Sequence, residues 1–179
     1  MHQEAYEGFG RMLAMTGIDR MEELDILDVG GADVNGSVRD YFPNAHFSGL
    51  DIEPAPGVDY VFDAAESDQW AHIGVYDVVI ATELFEHAER WADIIANMSG
   101  CLSEMGHQLL IATCASNGRP PHGARGEWGV PAGQFYGNVG PEALRQHLEF
   151  WFHEVHVEYN PNPGDAYMWA RGVRTDGQQ

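Results

Sequence analysis

The sequence contains few basic residues. Nine Lys and Arg stand against 28 Asp and Glu, so the formal net charge at pH 7 is -19. Proteins that bind nucleic acid neutralise its phosphates with a basic surface, and anionic membrane surfaces attract the same kind of surface. We therefore expect neither a nucleic-acid polymer nor a membrane surface as a partner.

Cysteines and long apolar runs are also scarce. Cys101 and Cys114 are the only two cysteines and form no CxxC motif, so the sequence predicts neither a disulfide framework nor a cysteine zinc site. The first 17 residues lack the basic-then-apolar pattern of a signal peptide. No apolar run approaches the ~18 residues that a membrane helix needs. These features predict a cytoplasmic protein in a reducing compartment.

The order of apolar segments predicts an α/β architecture. The 179 residues fit a single domain, 1–179, that begins with an amphipathic helix within residues 1–20. Strands are predicted at 25–29, 46–52, 58–62, 76–82, 106–113, 150–159 and 166–171, with helices at 37–42, at 85–102 and from Pro141. This alternation favours a doubly wound, mostly parallel seven-stranded sheet. The last two strands have no helix between them, so we expect the last strand to be antiparallel.

Residues 115–139 are rich in Gly and Pro and show no period, so they are predicted to form a long loop. Connections of this length inside a domain are usually functional or disordered. In doubly wound sheets, ligands bind beyond the carboxyl ends of the strands. The loop follows the fifth strand and would lie at that edge, so we expect it to be the binding loop for an acceptor.

The first strand ends in a glycine turn, in the segment "LDVGGADVNG". Gly30 and Gly31 allow close approach of a ligand, and the helix predicted after them would present free N–H groups. Asp51 ends the second strand about 20 residues later, where an acid accepts hydrogen bonds from ribose hydroxyls. The G-x-G-x-x-G of dinucleotide enzymes is absent, and Asp33 lies where a pyrophosphate would sit. A cofactor with a cationic sulfonium suits this turn better.

Four segments carry a resemblance to a known family. The motifs of class I S-adenosylmethionine-dependent methyltransferases, in particular the methyltransferase type 11-like group, are resembled by "ILDVGGADVNGS", "GLDIEP", "FDAAE" and "YDVVIATELFEHAERW". The similarity extends from about Leu24 to Val173. The resemblance implies a Rossmann-like fold and S-adenosyl-L-methionine as cofactor. The cofactor-binding residues that it implies are Asp28, Gly30, Gly31, Ala32, Asn35, Asp51, Ile52, Asp63, Ala64 and Glu83.

The resemblance also assigns parts of the cofactor to these residues. Gly30 and its neighbours would contact the methionyl part, and Asp51 the ribose. Asp63 and Ala64 would lie beside the adenine. Glu83 would lie beside the methionyl end or the reaction cleft.

The acceptor is expected to be a small molecule or a glycan-like compound, methylated at oxygen. A hydroxyl must lose its proton, and histidine suits the role of base near neutral pH. His87, just past the fourth strand, and His122, in the long loop, are the two candidates. The alternatives are that His87 only shapes the pocket and that His122 is an exposed loop histidine. Loop aromatic residues such as Trp128 would stack on an acceptor or only hold the loop.

Other interpretations remain open on the sequence alone. Glu83 and His87 are four residues apart and would share one helical face, but two ligands are too few, so no metal site is predicted. A nucleotide-dependent Rossmann oxidoreductase and a non-catalytic S-adenosylmethionine-binding protein are the alternative functions. The oligomeric state is not predicted.

Overall fold

The structure, a computed structural model, describes residues 2–32 and 36–174. The three α-helices are α1 (Gln3–Thr16), α2 (Trp91–Gly100) and α3 (Pro141–Trp151). The seven strands are β1 (Asp25–Val29), β2 (His46–Asp51), β3 (Tyr60–Val61), β4 (Val78–Thr82), β5 (Leu109–Ala115), β6 (Phe152–Asn160) and β7 (Asp165–Val173). Short 3₁₀ turns occupy Val38–Tyr41, Ser67–His72 and Phe85–His87.

All seven strands form one sheet in the order β3-β2-β1-β4-β5-β7-β6. β1 pairs in parallel with β2 on one side and with β4 on the other, while β7 runs antiparallel to both β5 and β6. The predicted Rossmann-like architecture with an antiparallel last strand is therefore confirmed. β2 and β3 are added on one side of β1, whereas β4 is added on its other side. The strand order therefore reverses between β1 and β4. Ligands bind at such a point in doubly wound sheets.

Alternate residues of the central strands pack on opposite faces of the sheet. Ile26 of β1 and Ile80 of β4 lie in one apolar cluster with Phe9 of α1. Their neighbours Leu27 and Ala81 lie in a second cluster, together with Ile94, Ile95 and Met98 of α2 and Leu144 and Leu148 of α3. Burial on both faces explains why these strands are nearly continuous apolar runs in the sequence.

Two predicted helices are wrong. The segment 85–102 is not one helix: a 3₁₀ turn at Phe85–His87 is followed by extended Ala88, and α2 begins only at Trp91. The segment 37–42 forms only the 3₁₀ turn Val38–Tyr41, which Ser37 caps and Pro43 follows closely. Since one short turn has no α-helical N-terminus, the row of free N–H groups expected from a helix there does not form.

None of the helices within residues 2–32 and 36–174 combines the length and the apolar character needed to cross a membrane.

Gly8 allows α1 to lie directly on the ring of the buried Tyr167 of β7. A Cβ at this position would lie 2.4 Å from Tyr167 Cδ1, closer than any van der Waals contact allows. We expect Gly8→Ala to lower the free energy of unfolding by about 1–3 kcal/mol, as overpacked cores do. Thermal and urea unfolding would measure this change. Gly100→Ala at the end of α2 is the matched control, because its Cβ would meet nothing within 4 Å. Equal stability of the two variants would contradict the prediction.

Candidate functional site

Two cavities meet at the carboxyl edge of the sheet. The first, here called the β1–β2 cavity, has a volume of about 270 Å³. Its lining comprises Gly30, Leu50, Asp51, Ile52, Asp63, Ala64, Ala65, Leu84, His87, Ala88, Glu89, Arg90 and Ile94. The second, here called the loop cavity, has a volume of about 520 Å³. Its lining comprises His2, Gly30, Ala32, Gly36, Thr82, Glu83, His87, His122, Gly123, Ala124 and Gly126. Gly30 and His87 line both cavities, so the two spaces adjoin there.

The glycine turn is held against the end of β2. The N–H groups of Gly30 and Gly31 both donate to Leu50 O, at 2.7 and 3.1 Å. Gly30 has φ +77°, a left-handed conformation that favours glycine. A Cβ on Gly30 would also lie only 3.2 Å from Leu84 Cδ1. A side chain at this position would therefore crowd Leu84, which lines the β1–β2 cavity.

Asp51 joins the glycine turn to the wall of the β1–β2 cavity. Its carboxylate accepts the N–H of Ala32 at Oδ2, 3.3 Å away, and the N–H of Glu53 at Oδ1, 3.1 Å away. These contacts fix the carboxylate at the end of β2, where it lines the cavity. A carboxylate in this position can still accept hydrogen bonds from a ligand, because each oxygen has more than one acceptor site.

The remaining wall of the β1–β2 cavity is mostly apolar. Ile52, which is 67% exposed, contributes to it together with Ala64, Leu84 and Ile94. Asp63 lies in the same wall and is oriented by the N–H of Ala65, which donates to its Oδ1 at 2.9 Å. An apolar space with carboxylates at its margin suits a flat heterocycle joined to a hydroxylated sugar.

Two implied cofactor residues, Asp28 and Gly31, line neither cavity. Asp28 is buried below the turn, where Arg39 Nε donates to its Oδ2 at 2.9 Å, and it lines neither cavity. Gly31 lines neither cavity either, and a Cβ there would lie 2.7 Å from Asp28 O. Both residues maintain the shape of the turn. Asn35 lies outside the described residues, as do Asp33 and Val34.

The long loop brings His122 to His87. The two rings are 5.1 Å apart and nearly perpendicular, and Tyr136 lies 5.6 Å from His87 and 4.9 Å from His122. Tyr136 is held in place by donating its hydroxyl to Asn138 Oδ1 at 2.7 Å. Trp128, by contrast, is 97% exposed. The two histidines predicted as bases therefore lie together, although they are far apart in the sequence.

Glu83, whose side chain is only 12% exposed, lies just after β4. It adopts φ +54°, and its N–H donates to Thr113 O at 2.9 Å. Burial alone would raise its pKa, but His2, Thr113 and Arg119 together hold the pKa below its ordinary value. His2 Nε2 lies 3.1 Å from its Oε2, and Thr113 donates its hydroxyl to Oε1 at 3.1 Å. Glu83 lies before the 3₁₀ turn, so it does not share a helical face with His87 as the spacing suggested.

Glu86 was not identified from the sequence. Its side chain is completely buried, and neither carboxylate oxygen has a partner at ordinary hydrogen-bond geometry among the described residues, although the backbone N–H groups of Glu86 and Ala115 lie near enough to act on it weakly. Burial and the nearby Glu83 raise the pKa of Glu86 well above its usual range. His122 Nε2 lies 3.9 Å from its Oε1. Next to it, burial and His122 lower the pKa of His87, whose Nδ1 is also buried without a partner among the described residues.

His2 is a second residue that the sequence did not suggest. It reaches the loop cavity from the start of α1 and contacts both Glu83 and the guanidinium of Arg119. Arg119 in turn donates to the buried Asp165 at 3.1 Å. The "ELFEH" segment offered a signal for Glu86, since it places a second acid beside a histidine. No local pattern indicated His2, because its role depends on how α1 packs.

No protein-family model matches the chain, and no curated protein matches it by sequence.

Comparison with solved structures identifies the fold. The N-terminal domain of EvdMO1, crystallised in the presence of S-adenosylhomocysteine and D-fucose, is similar with a TM-score of 0.61 and 16% identity over 97% of this chain and 84% of that one. A 1,6-didemethyltoxoflavin-N1-methyltransferase from Burkholderia thailandensis, with its acceptor and S-adenosylhomocysteine bound, gives a TM-score of 0.63 and 15% identity over 96% and 79% of the two chains.

The CurJ carbon methyltransferase is also similar, with a TM-score of 0.60 and 16% identity over 92% of this chain. This chain spans only about half of that protein, since the match covers 52% of it. The chain thus has the fold of class I S-adenosylmethionine-dependent methyltransferases. At these identities the likeness shows the fold, and the similar proteins themselves methylate carbon in one case and nitrogen in another.

Proposed function

We propose that the protein is an S-adenosylmethionine-dependent methyltransferase that methylates a hydroxyl of a small-molecule or glycan-like acceptor. The observation that carries this proposal is the junction of the two cavities at Gly30 and His87. A cofactor laid across Gly30 would have its adenosine in the β1–β2 cavity and its methyl group in the loop cavity. Several proteins of the same fold are crystallised with S-adenosylhomocysteine, which supports this placement.

The lining of each cavity suits the part of the cofactor that it would hold. Asp51 would accept the ribose hydroxyls, while Ile52, Asp63 and Ala64 would lie around the adenine. Ala32 and Glu83 line the loop cavity, and the negative charge of Glu83 would favour the cationic methionyl end. Asp28 and Gly31 would act indirectly, by holding the turn in the shape described above.

The acceptor would occupy the loop cavity. This cavity has a polar lining in which His87, His122 and Glu83 border one space. The EvdMO1 domain was crystallised in the presence of D-fucose, which supports a glycan-like acceptor here. The abundance of acidic residues makes a polyanionic acceptor unfavourable.

The reaction is an in-line displacement. The acceptor oxygen forms a bond to the methyl carbon, the carbon–sulfur bond breaks with its electron pair passing to sulfur, and the hydroxyl proton is released. Alignment of the reactants supplies as much as ~7–11 kcal/mol in favourable models. His87 and His122 are proposed to promote the loss of the proton, since both line the cavity in which the acceptor would lie.

Calorimetric titration tests the cofactor. We expect S-adenosylmethionine and S-adenosylhomocysteine each to bind at one saturable site, and NADH to give no saturable heat. Because NADH needs a pyrophosphate-binding turn, its binding without S-adenosylmethionine binding would instead support the oxidoreductase alternative. Cofactor binding without methyl transfer to any of a panel of sugars and small alcohols would favour a non-catalytic binding protein.

A further inference from the structure

We propose that Glu86, His87 and His122 form a binding site for a divalent transition-metal ion beside the loop cavity. The site itself stands on its own geometry, whereas its use in methyl transfer rests on the proposed function. Two imidazole nitrogens and one carboxylate oxygen, with other positions open, are a donor set for ions from Mn²⁺ to Zn²⁺.

The three side chains already converge. One ligand atom from each lies within 4.8 Å of the others. Glu86 Oε1 and His122 Nε2 are 3.9 Å apart, and the planes of the two imidazole rings are 85° apart. Ligand atoms that share one ion at about 2.0–2.2 Å lie up to roughly 4 Å apart. Only small side-chain movements are therefore needed to bind an ion.

Three polar atoms of Glu86 and His87 lack a hydrogen-bond partner among the described residues. Both carboxylate oxygens of Glu86 and Nδ1 of His87 are buried without a hydrogen-bond partner there. Buried polar atoms are nearly always satisfied in folded proteins, so three such atoms in adjacent residues require an explanation. A cation held between them would satisfy the carboxylate and a ring nitrogen together.

His122 is oriented as a metal ligand would be. Its Nδ1 lies 3.2 Å from Pro120 O, which can accept the Nδ1–H. That hydrogen bond leaves Nε2 with its lone pair, and Nε2 is the atom that lies 3.9 Å from Glu86. Histidines that bind metals usually donate their other ring N–H to a carbonyl or a carboxylate, which fixes the tautomer.

The surrounding charge also favours a cation. The buried Asp165 and the largely buried Glu83 both act electrostatically on Glu86 as like charges. Arg119 is the basic side chain paired with Asp165, at 3.1 Å. A divalent ion would offset the excess of buried carboxylates at this point.

A second group, His2, Glu83 and His122, has the same compactness. It is the weaker candidate because only Oε2 of Glu83 is buried without a hydrogen-bond partner among the described residues, while Thr113 donates to Oε1 and Arg119 contacts His2. Each group contains a carboxylate that the other lacks, so single substitutions distinguish the two.

A bound ion would act on the acceptor directly. His87 and His122 line the loop cavity, so an ion between them would have an open position towards it. A hydroxyl bound to a divalent ion loses its proton more readily. The oxygen would then attack the methyl carbon, the proton would pass to solvent, and the ion would remain unchanged.

The test is a titration of metal-free full-length protein with Co²⁺, followed by visible absorption and by calorimetry. We expect one saturable site. Glu86→Gln and His122→Ala should each weaken Co²⁺ binding by more than the roughly 10- to 100-fold typical of losing a residue that only orients a ligand. His153→Ala, an exposed residue of β6, and His2→Ala should leave it unchanged.

Each other outcome has a defined meaning. Absence of saturable Co²⁺ binding, or unchanged binding in a Glu86→Gln variant of normal circular dichroism, would overturn the proposal. Loss of binding in His2→Ala with retention in Glu86→Gln would assign the ion to the other group. If Glu86→Gln does not fold, His87→Ala decides, because His87 belongs to the proposed group and not to the other one. A parallel titration with S-adenosylhomocysteine separates the two proposals. Binding of S-adenosylhomocysteine without binding of Co²⁺ refutes the metal site and leaves the proposed cofactor in place. Binding of Co²⁺ without binding of S-adenosylhomocysteine refutes the proposed cofactor and leaves the metal site in place.

Discussion

Asp51→Asn is expected to weaken the binding of S-adenosylmethionine and S-adenosylhomocysteine by about 100-fold, which corresponds to the loss of one or two charge-assisted hydrogen bonds. In the protein, both oxygens of Asp51 accept backbone N–H groups, from Ala32 and Glu53. An amide has only one oxygen, so whichever way the substituted side chain is turned, its NH₂ group faces one of these donors. The side chain would then offer fewer acceptors to the ribose. Calorimetric titration of the purified variant measures the effect.

Glu53→Gln is the matched control for this prediction. Glu53 lies two residues further along, is exposed, pairs with Arg125 at 2.6 Å and lines neither cavity. The variant therefore loses a negative charge nearby without changing the proposed ribose site, and cofactor affinity should stay within about threefold, as for an exposed ion pair. Equal affinities in the Asp51→Asn variant and this control, with both variants folded, would remove Asp51 from the cofactor site.

The strands of the fold could be predicted because the burial of each strand is visible as a short apolar run in the sequence. Ile26, Leu27, Val79 and Ile80 belong to runs that are apolar on both faces, which is typical of parallel strands between two layers of helices. The absence of a helix between β6 and β7 likewise predicted their antiparallel pairing. These features depend on neighbouring residues alone, so no knowledge of the tertiary structure was needed.

The segment after β4 could not be predicted in the same way. The apolar spacing from Trp91 onwards does form α2, but the same spacing continues back through Phe85, which packs in the core from a 3₁₀ turn. The positive φ of Glu83 turns the chain before that point. Apolar periodicity reports burial and does not separate one helix from a turn followed by a helix.

The composition of the site depended on tertiary contacts. Gly30 and Asp51 were identified by their position at the ends of strands. Glu86 and His2 were not, because a buried carboxylate without a partner among the described residues and a histidine reaching in from α1 are visible only once the chain is folded. The convergence of His87 and His122 was also not derivable, although each had been singled out on its own.

His122→Ala and His87→Ala are expected to lower the rate of methyl transfer by about 10²–10⁴-fold, the usual contribution of a group that assists proton transfer. His122 does not line the β1–β2 cavity, where the adenosine would bind, so its removal should lower S-adenosylhomocysteine affinity much less than it lowers the rate. His87 lines both cavities, so its variant should lose some affinity as well. Formation of S-adenosylhomocysteine with an acceptor that the wild type methylates provides the measurement.

His153→Ala is the control for both histidine variants, because this side chain is exposed on β6 and lines neither cavity. Its turnover should equal that of the wild type. Full turnover in both His87→Ala and His122→Ala would show that neither side chain assists the proton, and that alignment of the acceptor with the methyl group is sufficient. If only His122→Ala loses turnover, His87 has no role in proton transfer and only lines the two cavities. The separation of rate from affinity therefore distinguishes a residue that acts on the acceptor from one that only shapes the site.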